Sequence, residues 1–335
     1  MKEFKSVLVT GGAGCIGLEV CNQLSKRGVE VRLFDLPEQI IRVKEVIAPE
    51  VQVHSGSILD SSSVRDAMRG SDAVIHLAAM LGVRRTELNR LRCLESNVEG
   101  TKRVLECAIA GDVEKVVFAS SSEVYGEPLH NPVDEQSPVF ARTVYAVSKL
   151  MGEELCAAYA QHYPQFSYTV LRFFNTYGLN QTAQFVVPRF VSDVLNHRSP
   201  VIYGDGNQKR SYCFAGDVAR ATIDSLFCEG ADGQTLNIGD GSSPITLHEL
   251  ADIVIKIGGK AGSISPVHQP DFDLTDRSAQ REVSQRFCNT DKALTTLGWR
   301  PQVSLEQGLK RVMESRTIFE RWDTTELPYL QDELV

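Results

Sequence analysis

Apolar runs and helically spaced apolar positions alternate through the first half of the chain. Val7-Leu8-Val9 is a continuous apolar run, the pattern of a strand buried on both faces. A glycine-rich stretch, Gly11-Gly12-Ala13-Gly14-Cys15-Ile16-Gly17, follows at once. Ile16, Val20 and Leu24 then recur at the spacing of one helix face. Residues 29–34 predict a second strand, 51–54 a third, 73–79 a fourth, 116–119 a fifth and 168–173 a sixth. Residues 96–110 carry an amphipathic helix pattern with Val104, Leu105, Ala108 and Ile109 on one side, and another helix starts near Tyr145. Such alternation predicts an α/β fold: a doubly wound parallel sheet with helices on both faces, presenting ligands at the carboxyl ends of its strands.

Regularity fades after Asn175. Proline and glycine punctuate residues 176–215, and residues 258–290 are polar and mostly irregular. Stretches this long signal functional loops or a second lobe. Segments 201–203 and 235–238 are expected to rejoin the sheet, and helices are predicted over 216–228, 246–257 and 305–320. The final residues read as a loosely held tail. The division is therefore residues 1–175 as one domain, with returning segments near 201–240, and 176–335 mainly as a smaller, irregular α/β lobe.

Composition narrows the class. The 335 residues are 42% hydrophobic and 23% charged, ordinary for a globular protein with ample length for a core. A net charge of −8 argues against nucleic-acid binding, which leans on clustered Lys and Arg. No apolar run approaches the roughly 20 residues of a membrane span, and no signal peptide is expected. The eight cysteines are scattered, with no C-x-x-C pair and no zinc spacing, so reduced thiols and no metal are expected in a cytoplasmic protein. Cys15 is expected to be a small packing residue.

Gly12, Gly14 and Gly17 fit G-x-G-x-x-G between a strand and a helix. The first glycine allows the tight turn, the second lets backbone approach a pyrophosphate, and the third lets helix and strand pack closely. The pyrophosphate would sit at the helix N-terminus, where unpaired N–H groups and the dipole favour anions. Asp35, at the end of the second strand and 18 residues beyond Gly17, stands where a ribose-binding acid belongs. Its carboxylate repels a 2′-phosphate, and Leu36 and Pro37 supply no cation for one, which favours NAD over NADP. Tyr145 and Lys149 are four apart on one helix face. An ammonium near a phenol stabilises the tyrosinate, so Tyr145 is placed to move a proton near neutral pH.

These residues together resemble the NAD-dependent nucleotide-sugar epimerase/dehydratase family, the extended short-chain dehydrogenase/reductases with a Rossmann-type fold. The resemblance rests on the glycine turn, Asp35, His76-Leu77-Ala78-Ala79, Asn97-Val-Glu-Gly100, Ser120 to Gly126, Tyr145-Ala-Val-Ser-Lys149 and Arg172-Phe-Phe-Asn175-Thr-Tyr-Gly178. Gln208-Lys-Arg210, Asp217-Val-Ala219, Asn237-Ile-Gly239 and Leu297-Gly-Trp-Arg-Pro301 extend it over nearly the whole chain. It implies NAD held by Gly11, Gly14, Cys15, Ile16, Gly17, Asp35, Ser57, Ile58, Leu77, Ala78, Ala79, Asn97, Ser120, Tyr145 and Lys149. Ser57 stands where the family often has Asp. Tyr145 is implied as the base at a sugar C4 hydroxyl, Lys149 as holder of the nicotinamide ribose, and Ser121 as partner of the reacting oxygen. Asn175, Arg210 and Arg286 are implied to bind the diphosphate of a nucleotide-diphosphate sugar, making 176–335 mainly the nucleotide-sugar-binding lobe.

The 4-keto sugar can then be epimerised, dehydrated or decarboxylated. Ser122-Glu123 keeps the Glu but lacks the Asp of the Asp-Glu pair seen in dehydratases, and it resembles UDP-glucuronate decarboxylases. Arg84 and Arg85 are candidates for a substrate carboxylate. The leading expectation is 4-epimerisation, with decarboxylation or dehydration through Glu123 as alternatives. An NAD-binding regulatory protein is the non-enzyme alternative, opposed by the intact Ser121, Tyr145 and Lys149. The resemblance also implies a homodimer that packs the helix of Tyr145 and the preceding long helix into a four-helix bundle; Leu150, Leu155, Ala158 and Tyr159 either offer apolar surface for it or face their own sheet.

Overall fold

The structure is a computed structural model, and it describes residues 2–182, 185–269 and 283–315. Seven parallel strands form the main sheet: β1 (Ser6–Thr10), β2 (Glu30–Asp35), β3 (Gln52–Ser55), β4 (Ala73–His76), β5 (Lys115–Ser121), β6 (Ser167–Phe173) and β7 (Gln234–Ile238). Their order is β7-β6-β5-β4-β1-β2-β3. The chain thus winds one way from β1 and the other way from β4, so the crevice between those two strand ends is the topological switch point where such sheets bind ligands. The helices include α1 (Cys15–Lys26), α2 (Ser61–Met68), α3 (Gly100–Ala110), α4 (Val144–His162), α5 (Val186–Leu195), α6 (Ala215–Phe227), α7 (Leu247–Ile257) and α8 (Leu305–Glu314).

Alternate residues of the central strands feed opposite cores, as the two-residue period requires. Val7, Val9, Leu33, Ile75 and Val117 pack with Leu18 and Leu24 of α1 and Val218 and Ile223 of α6. Leu8, Val74, Val116 and Phe118 face the other way, onto Val64 of α2, Val104 and Leu105 of α3 and Cys156 of α4. A separate cluster, including Phe190 of α5, Leu250 and Val254 of α7 and Leu309 and Val312 of α8, forms the core of the remaining lobe.

Three expectations need correction. Segment 235–238 does rejoin the sheet within β7, but Val201–Tyr203 pairs instead with Val267–Gln269, away from it. The stretch read as irregular after Asn175 contains α5. Its Pro188 is the third helical residue, where a missing N–H removes no helical bond. The fourth strand stops at His76, and Leu77 to Ala79 leave the sheet. The helix predicted over 305–320 spans Leu305–Glu314; the rest of it and the tail, 316–335, lie outside the described residues. Among the described residues no helix is long and apolar enough to cross a membrane.

Candidate active site

Backbone rather than side chains shapes the first turn. The amides of Gly11 and Gly12 both donate to the Phe34 carbonyl, at 2.9 and 3.3 Å. Gly11 adopts φ +70°, and a Cβ there would stand 2.6 Å from the Ala78 nitrogen, where the chain leaving β4 crosses the turn. The tight-turn role expected of Gly12 therefore belongs to Gly11, while Gly12 is required because a Cβ would lie 2.6 Å from Leu33 Cγ. A Cβ on Gly17 would be 2.1 Å from the Gly11 carbonyl oxygen, so the close approach expected between helix and strand is made between helix and turn. Gly14 caps α1 without a side-chain bond, and the first helical bond runs from Leu18 to Gly14 at 2.9 Å. By helix geometry the amides of Cys15, Ile16 and Gly17 have no intrahelical acceptor, which makes an anion cradle.

Asp35 closes this cradle. Its carboxylate accepts from Ala13 N at 3.0 Å and Leu36 N at 2.8 Å. Burial raises its carboxyl pKa, and the two backbone bonds oppose that rise. Each oxygen keeps a further lone pair for a ribose hydroxyl. The glycine turn and this acid thus fit a dinucleotide. Arg42 is near enough to act electrostatically on Asp35, a basic neighbour not visible in Leu36 and Pro37. Burial pushes the Cys15 thiol upward, consistent with packing rather than reactivity. Ser57 Oγ accepts from Leu59 N at 3.2 Å, and Ile58 is a core residue against Gly100.

A buried polar chain supports the segment that leaves β4. Thr10 Oγ1 lies 2.6 Å from His76 Nδ1, and His76 Nε2 lies 3.0 Å from Thr101 Oγ1. Burial, aided by the Lys149 charge, holds His76 down to about 3, so the ring is neutral. Leu77, Ala78 and Ala79 are half-buried beside the glycine turn. Asn97, expected on the cofactor, is instead a clamp. It accepts from Met80 N at 2.7 Å and donates to Met80 O and Ser148 Oγ, both at 2.9 Å. It does so from a π-helical turn, Glu95–Glu99.

The reactive groups meet at the end of β5. Ser121 Oγ accepts from Glu123 N at 3.2 Å and lies near enough to the Tyr145 phenol to favour its ionised form. Ser122 is buried in the short helical turn Ser122–Tyr125. Glu123 Oε2 accepts from Thr143 Oγ1 at 3.2 Å, and Thr143 caps α4, so this carboxylate stands beside Tyr145. Lys149 Nζ donates to the Ala119 carbonyl at 2.8 Å and lies 5.8 Å from the Tyr145 ring centre. Burial lowers Lys149 to about 8. The Tyr145 phenol is pushed up, by burial first and the Glu123 charge second, with Ser121 opposing. The expected depression of Tyr145 by Lys149 is thus not what this arrangement produces: burial dominates, and Glu123 adds a charge like that of the phenolate. Ser120, also expected on the cofactor, turns its hydroxyl to Glu153 of α4. Glu87, which no pattern marked, accepts from Val144 N at 2.8 Å in the first turn of α4.

The two arginines are brought together. Arg210 and Arg286 are opposed in a two-residue parallel ladder, Lys209–Arg210 with Gln285–Arg286, and both are buried. Arg286 Nη1 donates to Gly126 O at 3.2 Å, three residues beyond Glu123, and Arg210 Nη2 donates to Val283 O at 2.6 Å. Neighbouring guanidiniums suit forked contacts to a diphosphate. Asn175 is half-buried after β6, its carbonyl accepting from Cys213 N at 2.9 Å. Arg85 is exposed, and the Arg84 side chain lies outside what the structure describes. Among the described residues no His, Cys, Asp and Glu cluster could hold a metal ion.

The chain is similar to known proteins over most of its length. A putative UDP-glucose 4-epimerase of Methanocaldococcus jannaschii is 34% identical over 92% of this chain and 97% of its own. A UDP-N-acetyl-alpha-D-glucosaminuronate decarboxylase of Bacillus cytotoxicus is 32% identical over the same shares. The crystal structure of a UDP-glucose 4-epimerase from Thermotoga maritima superposes with a TM-score of 0.84 at 29% identity, covering 93% of this chain and 98% of that one. The family model for NAD dependent epimerases and dehydratases matches residues 7–239. The chain is an NAD-dependent enzyme belonging to the epimerase/dehydratase family that acts on nucleotide sugars.

Proposed function

We propose that Tyr145 removes the proton from the C4 hydroxyl of a nucleoside-diphosphate sugar and that the main outcome is 4-epimerisation. The observation that carries this reading is the gathering of Tyr145, Ser121 and Lys149 at the end of β5, with Lys149 Nζ 5.8 Å from the Tyr145 ring centre. Ser121 would hold the reacting oxygen and Lys149 the nicotinamide ribose. Gly11, Gly14 and the amides of Cys15 to Gly17 would cradle the pyrophosphate, Asp35 the adenosine ribose, and Ser57, Ile58 and Leu77 to Ala79 the adenine end and its flank. Bound NAD would supply the hydride acceptor and a positively charged ring that draws the phenol towards ionisation. Arg210, Arg286 and Asn175 would hold the diphosphate, in keeping with a nucleotide-binding part within 1–175 and returning segments, and a sugar-binding part mainly within 176–335.

A second reading, decarboxylation or dehydration, is favoured by one observation: the Glu123 carboxylate beside Tyr145 could take the C5 proton that a 4-ketone acidifies. The test is incubation of purified protein with UDP-glucose, UDP-glucuronate, UDP-GlcNAc or dTDP-glucose without added NAD, read by mass spectrometry and chromatography. An isobaric product supports epimerisation; loss of carbon dioxide or water supports the second reading. Tyr145→Phe should lower turnover by about 10²- to 10⁴-fold while retaining NAD. Unchanged turnover in that variant would sink both readings.

We also propose a homodimer, though not through the surface expected. Leu150, Leu155 and Tyr159 pack against the protein's own clusters, leaving only Ala158 of that set exposed. The apolar surface of α4 is Val147 and Met151, with Leu88 and Leu91 on the short helices beside it. The eight free thiols suit a reducing, cytoplasmic setting.

A further inference from the structure

The end of β5 and the middle of α4 interlock residue by residue. The Phe118 ring fills the space over Gly152, where a Cβ would be 2.2 Å from it, and lies 5.2 Å from Lys149 Nζ. The Ala119 carbonyl takes Lys149, Ser120 donates to Glu153, and Ser121 meets Tyr145. Tyr145, Lys149 and Glu153 follow one another at four-residue steps, so they share one face of α4. Contacts made by the lower two therefore determine where the third arrives.

Glu153 is the most heavily tied of the three. Besides Ser120 it holds Arg172 of β6 through Nε at 3.0 Å and Nη2 at 2.7 Å, with both side chains buried. Arg172 Nη1 donates to the Tyr125 hydroxyl at 2.9 Å, which donates to Asn237 Oδ1 of β7 at 2.7 Å. The carboxylate thereby binds α4 directly to the carboxyl ends of β5 and β6 and, through Arg172 and Tyr125, to that of β7. A buried ion pair adds little net stability over well-packed apolar residues, whereas it can specify a single arrangement.

We propose that Glu153 is a positioning residue for the reaction: its bonds to Ser120 and Arg172 fix the rotation and height of α4 so that Tyr145 meets Ser121 and Lys149 meets Ala119. This rests on Tyr145 being the base. The groups around the pair are Glu123 and Cys93 at Tyr145, and His76, Cys93, Glu153 and Cys156 at Lys149. Cys93, Glu153 and Cys156, in that order, oppose the effect of burial on Lys149.

The test compares Glu153→Gln with the double variant Glu153→Met/Arg172→Met, which removes both partners and leaves no lone buried charge. For whichever sugar the wild type accepts, kcat of Glu153→Gln should fall about 10- to 100-fold, with KM within about threefold. The Tyr145 ionisation midpoint, read by ultraviolet difference absorbance against Tyr145→Phe, should rise. The double variant should recover thermal stability without recovering rate or midpoint. Recovery of rate along with stability, or an unmoved midpoint in Glu153→Gln, overturns the proposal. If the wild type converts no nucleotide sugar, the proposed function fails, while the midpoint still decides this inference.

Discussion

Glu123 places a negative charge against a phenol that must itself become negative. Burial and that charge both raise the Tyr145 pKa, and only Ser121 opposes them. Glu123→Gln keeps the shape and an oxygen for Thr143 but removes the charge, so the folded-state pKa of Tyr145 falls. More phenolate is then present at any given pH. The acid limb of kcat/KM should move to lower pH, by about one unit for a neighbour at this range. A limb that stays put would mean that Glu123 does not sense the base; loss of product with the limb shifted would mark it as the C5 base. At this scale the sequence was legible wherever spacing alone defines the contact, as for Tyr145 and Lys149 or for Gly17. It was not legible where the partner is distant in the chain. Asn97 and Ser120 looked like cofactor ligands, yet their side chains engage Met80 and Glu153, partners set by tertiary packing.

Elements carry that packing, and α4 is held against β5 at a distance only glycine permits. Gly152→Ala would put a methyl 2.2 Å from the Phe118 ring, which is 1% exposed and has nowhere to retreat. The helix must lift, taking Lys149 and Tyr145 with it. Unfolding should become easier by about 1–3 kcal/mol, and turnover should fall in the same variant. Thermal melts and kinetics check this, and a variant with wild-type stability would show that α4 is free to shift. Strands β1, β4 and β5 could be read most directly from the chain, because strands buried on both faces carry continuous apolar runs. Lys209–Arg210 and Gln285–Arg286 could not be read, since two residues carry no period. Pro188 hid α5, because proline signals a break everywhere except in a helix's first turn.

For the whole molecule, the site depends on two parts of the chain being stitched over one sheet. Val133 N donates to Phe287 O at 2.8 Å, and Asn289 N donates to Val133 O at 2.7 Å. The Ser284 hydroxyl and amide both reach Glu127. These bonds bring Arg286 to the loop that follows Glu123, which no local pattern could announce. At the other end Asp217 accepts from Gln302 N and Val303 N, both at 2.8 Å, and takes the Trp299 indole on its carbonyl at 3.0 Å. With its inner face committed in this way, α4 turns outward Val147 at 43% and Met151 at 45% exposure, one turn apart, next to Leu88 at 70% and Leu91 at 77%. Four apolar side chains left in water beside the helix that carries the chemistry are worth covering with a second copy of the same surface. Gel filtration with light scattering should therefore give a dimer. Leu91→Glu/Met151→Glu should give a monomer with unchanged circular dichroism and a lower melting temperature, because a charge pair buried at a twofold interface faces its own image. A wild type that is monomeric at every concentration tested, or a charged variant that remains dimeric, would place the interface elsewhere or remove it.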